Sequence, residues 1–220
     1  MRVFALLLLS ISMYAQESGG VKPKEEGGLK PGDSRPPTAD EKAVIALARN
    51  VQRELLRLPE YNLFDHLRFG IKDYTVYLRG YASRPTLKSV AERIVKGIEG
   101  VEKVVNEIEV LSLSPADDDI RWGVYRAIYG HPSLARYNPN RGVPLFPSMT
   151  RRTMGITQDP PPGYHPIHIL VRNGQVTLEG VVDNTGDRTI AELQANGVFG
   201  AFSITNNLIA ASEEGKPIKR

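Results

Sequence analysis

Val76-Tyr77-Leu78-Arg79-Gly80 returns one hundred positions later as Val176-Thr177-Leu178-Glu179-Gly180. The same offset pairs Ala91 with Ala191, Gly100 with Gly200, Val104 with Ile204 and Asn106 with Asn206. Upstream the offset falls to 73, pairing Val51 with Val124, Leu55 with Ile128 and Pro59 with Pro132. An internal repeat marks one structural unit built twice. The change of offset places about 27 extra residues in the second copy, ahead of its first strand.

Periodicity assigns the elements of each copy. Thr38-Ala39-Asp40-Glu41 is a capping box opening a helix that runs to about Leu58, where Pro59 stops it. Val44, Leu47, Ala48, Val51, Leu55 and Leu58 form its apolar face. Strands are expected at Leu67 to Ile71 and Thr75 to Tyr81, a second helix from Pro85 to Glu99, and a last strand from Val104 to Leu111. In copy two, Ser114 is the N-cap and Pro115 the first helical residue, with Asp117 to Asp119 at the positive helix end. The alternative for those acids is a bound cation. Strands follow at Ile167 to Arg172, Gln175 to Val182 and Ser203 to Ala210, with a helix near Gly186 to Asn196. Asn173-Gly174 is a type I′ hairpin turn. The expected fold is α+β: two small tandem α-β-β-α-β modules, each a three-stranded sheet with two helices packed on one face.

The N-terminus reads as an export signal. Arg2 supplies the positive charge, Val3 to Met13 the apolar stretch, and Ala15 a cleavage site before Gln16. Eleven residues span about 16 Å as a helix, short of a hydrocarbon core of about 30 Å. With no cysteine, an exported chain suits the bacterial periplasm. The expected organisation is a signal peptide over 1–15, a disordered linker over 16–39, and modules over 40–112 and 115–211. The second module carries an insertion near 136–163, and a flexible tail covers 212–220.

The α-β-β-α-β order with its Val-x-Leu-x-Gly hairpin resembles the BON domain, the bacterial osmotic-shock and nodulation module. Copy one carries the pattern at Val76, Leu78, Gly80, Gly100, Val101, Val104 and Asn106. Copy two carries it at Gly174, Val176, Leu178, Gly180, Gly200, Ile204 and Asn206. Copy one departs at Tyr74, where the first glycine is expected, and copy two at Ala201 and through its insertion. The resemblance implies a small envelope module, often in tandem, that associates with phospholipid surfaces or envelope polymers. It implies no catalytic residues.

The residues agree on the absence of chemistry. Nucleophilic catalysis needs an activated nucleophile beside a base, and neither a cysteine nor a Gly-x-Ser-x-Gly turn is present. No phosphate-binding glycine loop follows a strand. His165 and His168 lie at a strand spacing that points them to opposite faces, so no metal site or cofactor is expected, and the four histidines read as solvated or capping. Lys and Arg total 28 against 25 for Asp and Glu. That balance argues against nucleic acid as a partner.

The insertion is the most distinctive segment: it reads first as a long surface loop whose aromatics pack back onto the module, and otherwise as a binding surface. The insertion and its borders interleave Arg136, Arg141, Arg151 and Arg152 with Tyr137, Phe146 and Tyr164. Basic and aromatic side chains together suit anionic phospholipid or a phosphate-rich cell-wall polymer. The rival expectation is a protein–protein adaptor in an envelope assembly, using open sheet edges.

Overall fold

The computed structural model describes residues 38–112, 114–139 and 164–213. The expected signal peptide, nearly all of the linker and most of both the insertion and the tail lie outside the described residues. The protein divides into two units.

The first unit comprises 38–61 and Leu67–Val110 among the described residues. Its elements are α1 (Ala39–Leu56), β1 (His66–Lys72), β2 (Thr75–Ala82), α2 (Pro85–Lys96), β3 (Lys103–Asn106) and β4 (Glu109–Val110). The capping box forms as expected: Glu41 N–H donates to Thr38 Oγ1 at 3.3 Å, and Thr38 N–H to Glu41 Oε2 at 2.7 Å. β1, β2 and β3 lie side by side in that order. The expected last strand is split, with β3 and β4 both running parallel to β2 in one unbroken register: Thr75 faces Lys103, and Tyr81 faces Glu109. Between them Glu107 N–H still donates to Leu78 O at 2.8 Å, while Ile108 N–H turns to the side chain of Asn106 at 3.2 Å. The core gathers Val51 and Leu55 of α1, Val76 and Leu78 of β2, Ala91 and Val95 of α2, and Ile108.

The second unit comprises Asn62–His66 together with the chain from Leu111 onward. It holds α3 (Pro115–Tyr129), a short 3-10 helix (Pro132–Tyr137), β5 (Ile167–Arg172), β6 (Gln175–Val182), α4 (Thr185–Asn196) and β7 (Ser203–Ala210). The sheet order is β5-β6-β7, with β6 antiparallel to β5 and parallel to β7. Its buried residues repeat those of the first unit: Val124, Ile128, Val176, Leu178, Ala191, Ala195 and Leu208. Both offsets read from the sequence therefore superpose core on core. Two α-β-β-α-β modules are present.

Gly180 is the glycine with the least freedom to change. It adopts φ +125, and a Cβ there would sit 2.0 Å from the carbonyl oxygen of Pro166. The Asn173-Gly174 turn has positive φ at both residues, as a type I′ hairpin requires. In the first unit Asp73 and Tyr74 take the same left-handed pair without a glycine. Gly80, Gly100 and Gly200 also adopt positive φ. Asn106 and Asn206 each tie the last strand to the preceding helix.

Candidate binding surface

Because the units share a frame, the positions at which they differ isolate what the second unit adds. Arg79 and Glu107 form an exposed ion pair at 2.7 Å in the first unit. Their counterparts are Glu179 and Asn207, joined by a hydrogen bond from Asn207 Nδ2 to Glu179 Oε1 at 2.9 Å. Glu179 is buried, as are Asp65, His66, His165 and His168 of the same unit. His66 Nε2 lies 3.9 Å from Glu179 Oε2, and its ring packs edge-on to that of His168 at 5.4 Å. The cover is the segment Asn62–His66. Its Leu63 carbonyl accepts from Ile169 N–H at 2.8 Å, and Leu63 and Phe64 join the core.

This burial corrects the expectation that the histidines are solvated or capping. Only His131 caps, accepting from Ser133 N–H at 3.3 Å. Burial drives the pKa of His168 down to about 4, assisted by the nearby His165 and opposed by backbone hydrogen bonds at Asp65 and Asn62. The signal was present in β5, whose Ile167-His168-Ile169-Leu170-Val171 run is apolar at four positions, a pattern of strands covered on both faces. Among the described residues no group of three or more His, Asp or Glu is arranged to hold a metal ion.

Two of the three acids at the start of α3, Asp117 and Asp118, prove to be part of the scaffold. The Asp117 carboxylate accepts both turn amides, Asn173 N–H at 2.9 Å and Gly174 N–H at 2.8 Å. Asp118 pairs with buried Arg121, whose second nitrogen donates to Val171 O at 2.9 Å.

Two of the basic–aromatic candidates are tied into the fold. Arg136 pairs with Asp183 at 2.8 Å and with Asp187, and its guanidinium lies 4.7 Å from the centre of the Tyr137 ring. The hydrogen bond from Arg136 holds Asp183 below the usual carboxylate range, and the same bond raises the guanidinium. Tyr137 O–H donates to Asp187 at 2.7 Å and accepts from Asp183 N–H at 2.7 Å. Burial, first of several causes, pushes its pKa up to about 12. Tyr164, at the far border of the insertion, is 70% exposed. Arg141, Phe146, Arg151 and Arg152 lie outside the described residues.

A second exposed feature escaped sequence reasoning. Leu193, Phe199 and Phe202 are 64%, 100% and 85% exposed. At the matching positions the first unit has Arg93, Glu99 and Glu102. The contrast extends further: 93–112 carries seven charged side chains, and 193–212 carries none. Reading the copies against each other for charge, rather than for similarity, would have found it. Scattered exposed apolar residues are ordinary, but these three stand where the first unit has three charges.

The frame and its additions define a class of protein: a pair of small α+β modules, of which the second carries four of the five large apolar side chains exposed among the described residues. The BON-domain family model matches residues 45–112 and 156–212, more than half of the chain, and the protein belongs to the BON-domain family. No curated protein matches it. Among solved structures it is similar to two from Chlamydia trachomatis, described as CdsD, a structural protein of the type III secretion system, and as the C-terminal domain of CdsD. Identities are 16% and 14%, with 76% of this chain and 94% and 98% of theirs covered, at a TM-score of 0.25 in both cases. At that score the likeness says nothing about this chain's role. No helix among the described residues is long and apolar enough to cross a membrane.

Proposed function

We propose that this protein is a non-catalytic binding protein of the bacterial envelope, exported by its N-terminal signal, whose second module associates with anionic phospholipid headgroups. The observation carrying this reading is the exposure of Tyr164, Leu193 and Phe199 on that module. Exposed aromatic and aliphatic side chains suit the headgroup boundary of a bilayer, which needs no preformed pocket to receive them. The charge component is assigned to Arg141, Arg151 and Arg152 with Phe146 between them, since Arg136 is already matched by two carboxylates. Each juxtamembrane cation contributes about 1 kcal/mol near an anionic surface, screened by salt. A phosphate-rich cell-wall polymer offers the same anionic chemistry without the apolar phase.

Co-sedimentation with phosphatidylglycerol and phosphatidylcholine vesicles across a salt series tests this. Binding to the anionic vesicles that falls with salt, drops about tenfold or more in an Arg141→Ala/Arg151→Ala/Arg152→Ala variant, and weakens in Phe199→Ser supports it. Absence of binding to either vesicle at low salt overturns the lipid reading. Binding to isolated cell wall in its place would assign the polymer.

A further inference from the structure

The two edges of the second sheet are treated differently. On the β5 side the segment Asn62–His66 lies along the strand, and Leu63 O takes the Ile169 N–H. On the β7 side no described residue pairs with the strand, whose neighbour in the sheet is β6 alone. Open edges invite pairing with another chain, and proteins blunt them with short strands, breaks and charges. The first unit does all three: its edge is split into four- and two-residue strands, with Lys103, Glu107 and Glu109 along them. β7 does none. It is eight residues long, Ser203-Ile204-Thr205-Asn206-Asn207-Leu208-Ile209-Ala210, without a charge or a proline.

From this we infer that β7 is a self-association edge, pairing antiparallel with β7 of a second copy of this chain. Three observations favour a second copy over a different partner. In a two-fold pair a charge on the axis would face itself, and a charge beside the axis would lie close to its own copy; the chain carries none from Leu193 through Ser212, β7 included. Centring the pair on Asn206 keeps both helix layers on one side of a continuous six-stranded sheet, because residues facing each other then share parity. In that register Thr205 and Asn207, both exposed, lie opposite each other twice, and Ile204 lies opposite Leu208 twice. Phe202 lies opposite Ala210, a large side chain against a small one.

The backbone supports the same register. Glu107 N–H donates inward to Leu78 O in the first unit, and the second unit keeps the same pairing offset, so Ile204, Asn206 and Leu208 turn their peptide groups outward. Leu208 N–H is already met by Asn206 Oδ1 at 3.2 Å. What remains is a reciprocal pair of bonds between the two Asn206 backbones, and Ile204 N–H to Leu208 O from each side. Four backbone bonds, with Ile204 opposite Leu208 on either side of Asn206, suit a weak dimer with a Kd on the order of micromolar.

Sedimentation velocity on the full chain from about 1 to 100 µM reads this directly. The expected result is a concentration-dependent shift from monomer to dimer. A Thr205→Lys/Asn207→Lys variant, which sets lysines against lysines twice, remains monomeric with unchanged circular dichroism, and its melting temperature matches that of Asn207→Lys alone, which already loses the bond to Glu179. Mixing it with a Thr205→Glu variant restores a dimer, which a misfolded chain would not do. A native chain that is monomeric at 100 µM overturns the inference. So does a dimer whose affinity the lysines leave within twofold, since another surface would then hold it. Neither result bears on vesicle binding, which rests on Tyr164, Phe199 and the insertion.

Discussion

Asn106 donates its side-chain amide to the carbonyl oxygen of Lys88 at 3.0 Å, and a hundred residues later Asn206 donates to Arg188 at 3.0 Å. Each amide also reaches a glutamate on the same helix, Glu92 or Glu192, at 3.0 Å. Each side-chain oxygen takes the amide hydrogen two residues on, at Ile108 or Leu208. One side chain thus ties a helix to a strand by two bonds and braces its own strand by a third. Asn106→Ala and Asn206→Ala are each expected to destabilise the protein by about 1–3 kcal/mol, since the partners are partly buried and lose their bonds. Urea denaturation of the two variants checks this, with similar losses expected from both.

Gly180→Ala is expected to be far worse than Gly197→Ala. The first puts a methyl against the Pro166 carbonyl at positive φ, where nothing flexible can yield. The second meets only ordinary contacts at 3.6 Å or beyond, with φ −78. A loss of roughly 2–3 kcal/mol for Gly180→Ala, against a change within about 0.5 kcal/mol for Gly197→Ala, is the pattern to find in thermal melts.

Asp117 holds the β5–β6 turn by two backbone amides, so its removal strands two donors. Asp117→Ala should cost about 2–3 kcal/mol, and Asp117→Asn less, because an amide oxygen still accepts. Hydrogen exchange supplies the local readout. Protection of Asn173 and Gly174 amides should fall in both variants, and most in the alanine one.

The buried His168 gives the protein an acid limb. In the unfolded chain its imidazole titrates near 6.5, while in the fold burial lowers it to about 4. Below 6.5 the unfolded state therefore binds the proton that the folded state refuses. Stability is full above about 6.5 and falls as pH drops toward 4, by about 3 kcal/mol over the whole interval. Denaturation midpoints measured from pH 7.5 to 4 should show that slope. His168→Gln should flatten it while lowering the plateau.

The fold was legible because its signals are local. Thr38 and Glu41, Ser114 and Pro115, and Asn173 and Gly174 state helix starts and a turn in the residues themselves. The repeat then carried the assignment from one copy to the other. The site was less legible because its determinants are relational. Nothing in the neighbours of Glu179 announces that it is buried, since His66, which approaches it, lies 113 positions away. Arg136 looked like a free cation beside an aromatic, and its carboxylate partners Asp183 and Asp187 lie beyond the insertion. The apolar character of Phe199 and Phe202 was visible, but only the charges at Glu99 and Glu102 give it meaning.

Leu63 and Phe64 emerge from the ribosome about a hundred residues before Ile169, to which Leu63 bonds. At ordinary rates of synthesis, roughly 5–20 residues per second, those two side chains wait about 5–20 s for their place. By then the strands and both helices of the first module have been made, but the piece of chain leading into β1 has no shelter. A nascent chain of this protein is therefore most open to holdase chaperones and to stray pairing between the completion of β4 and the arrival of β5. It also follows that the second module, made alone from residue 111 onward, would lack part of its own interior.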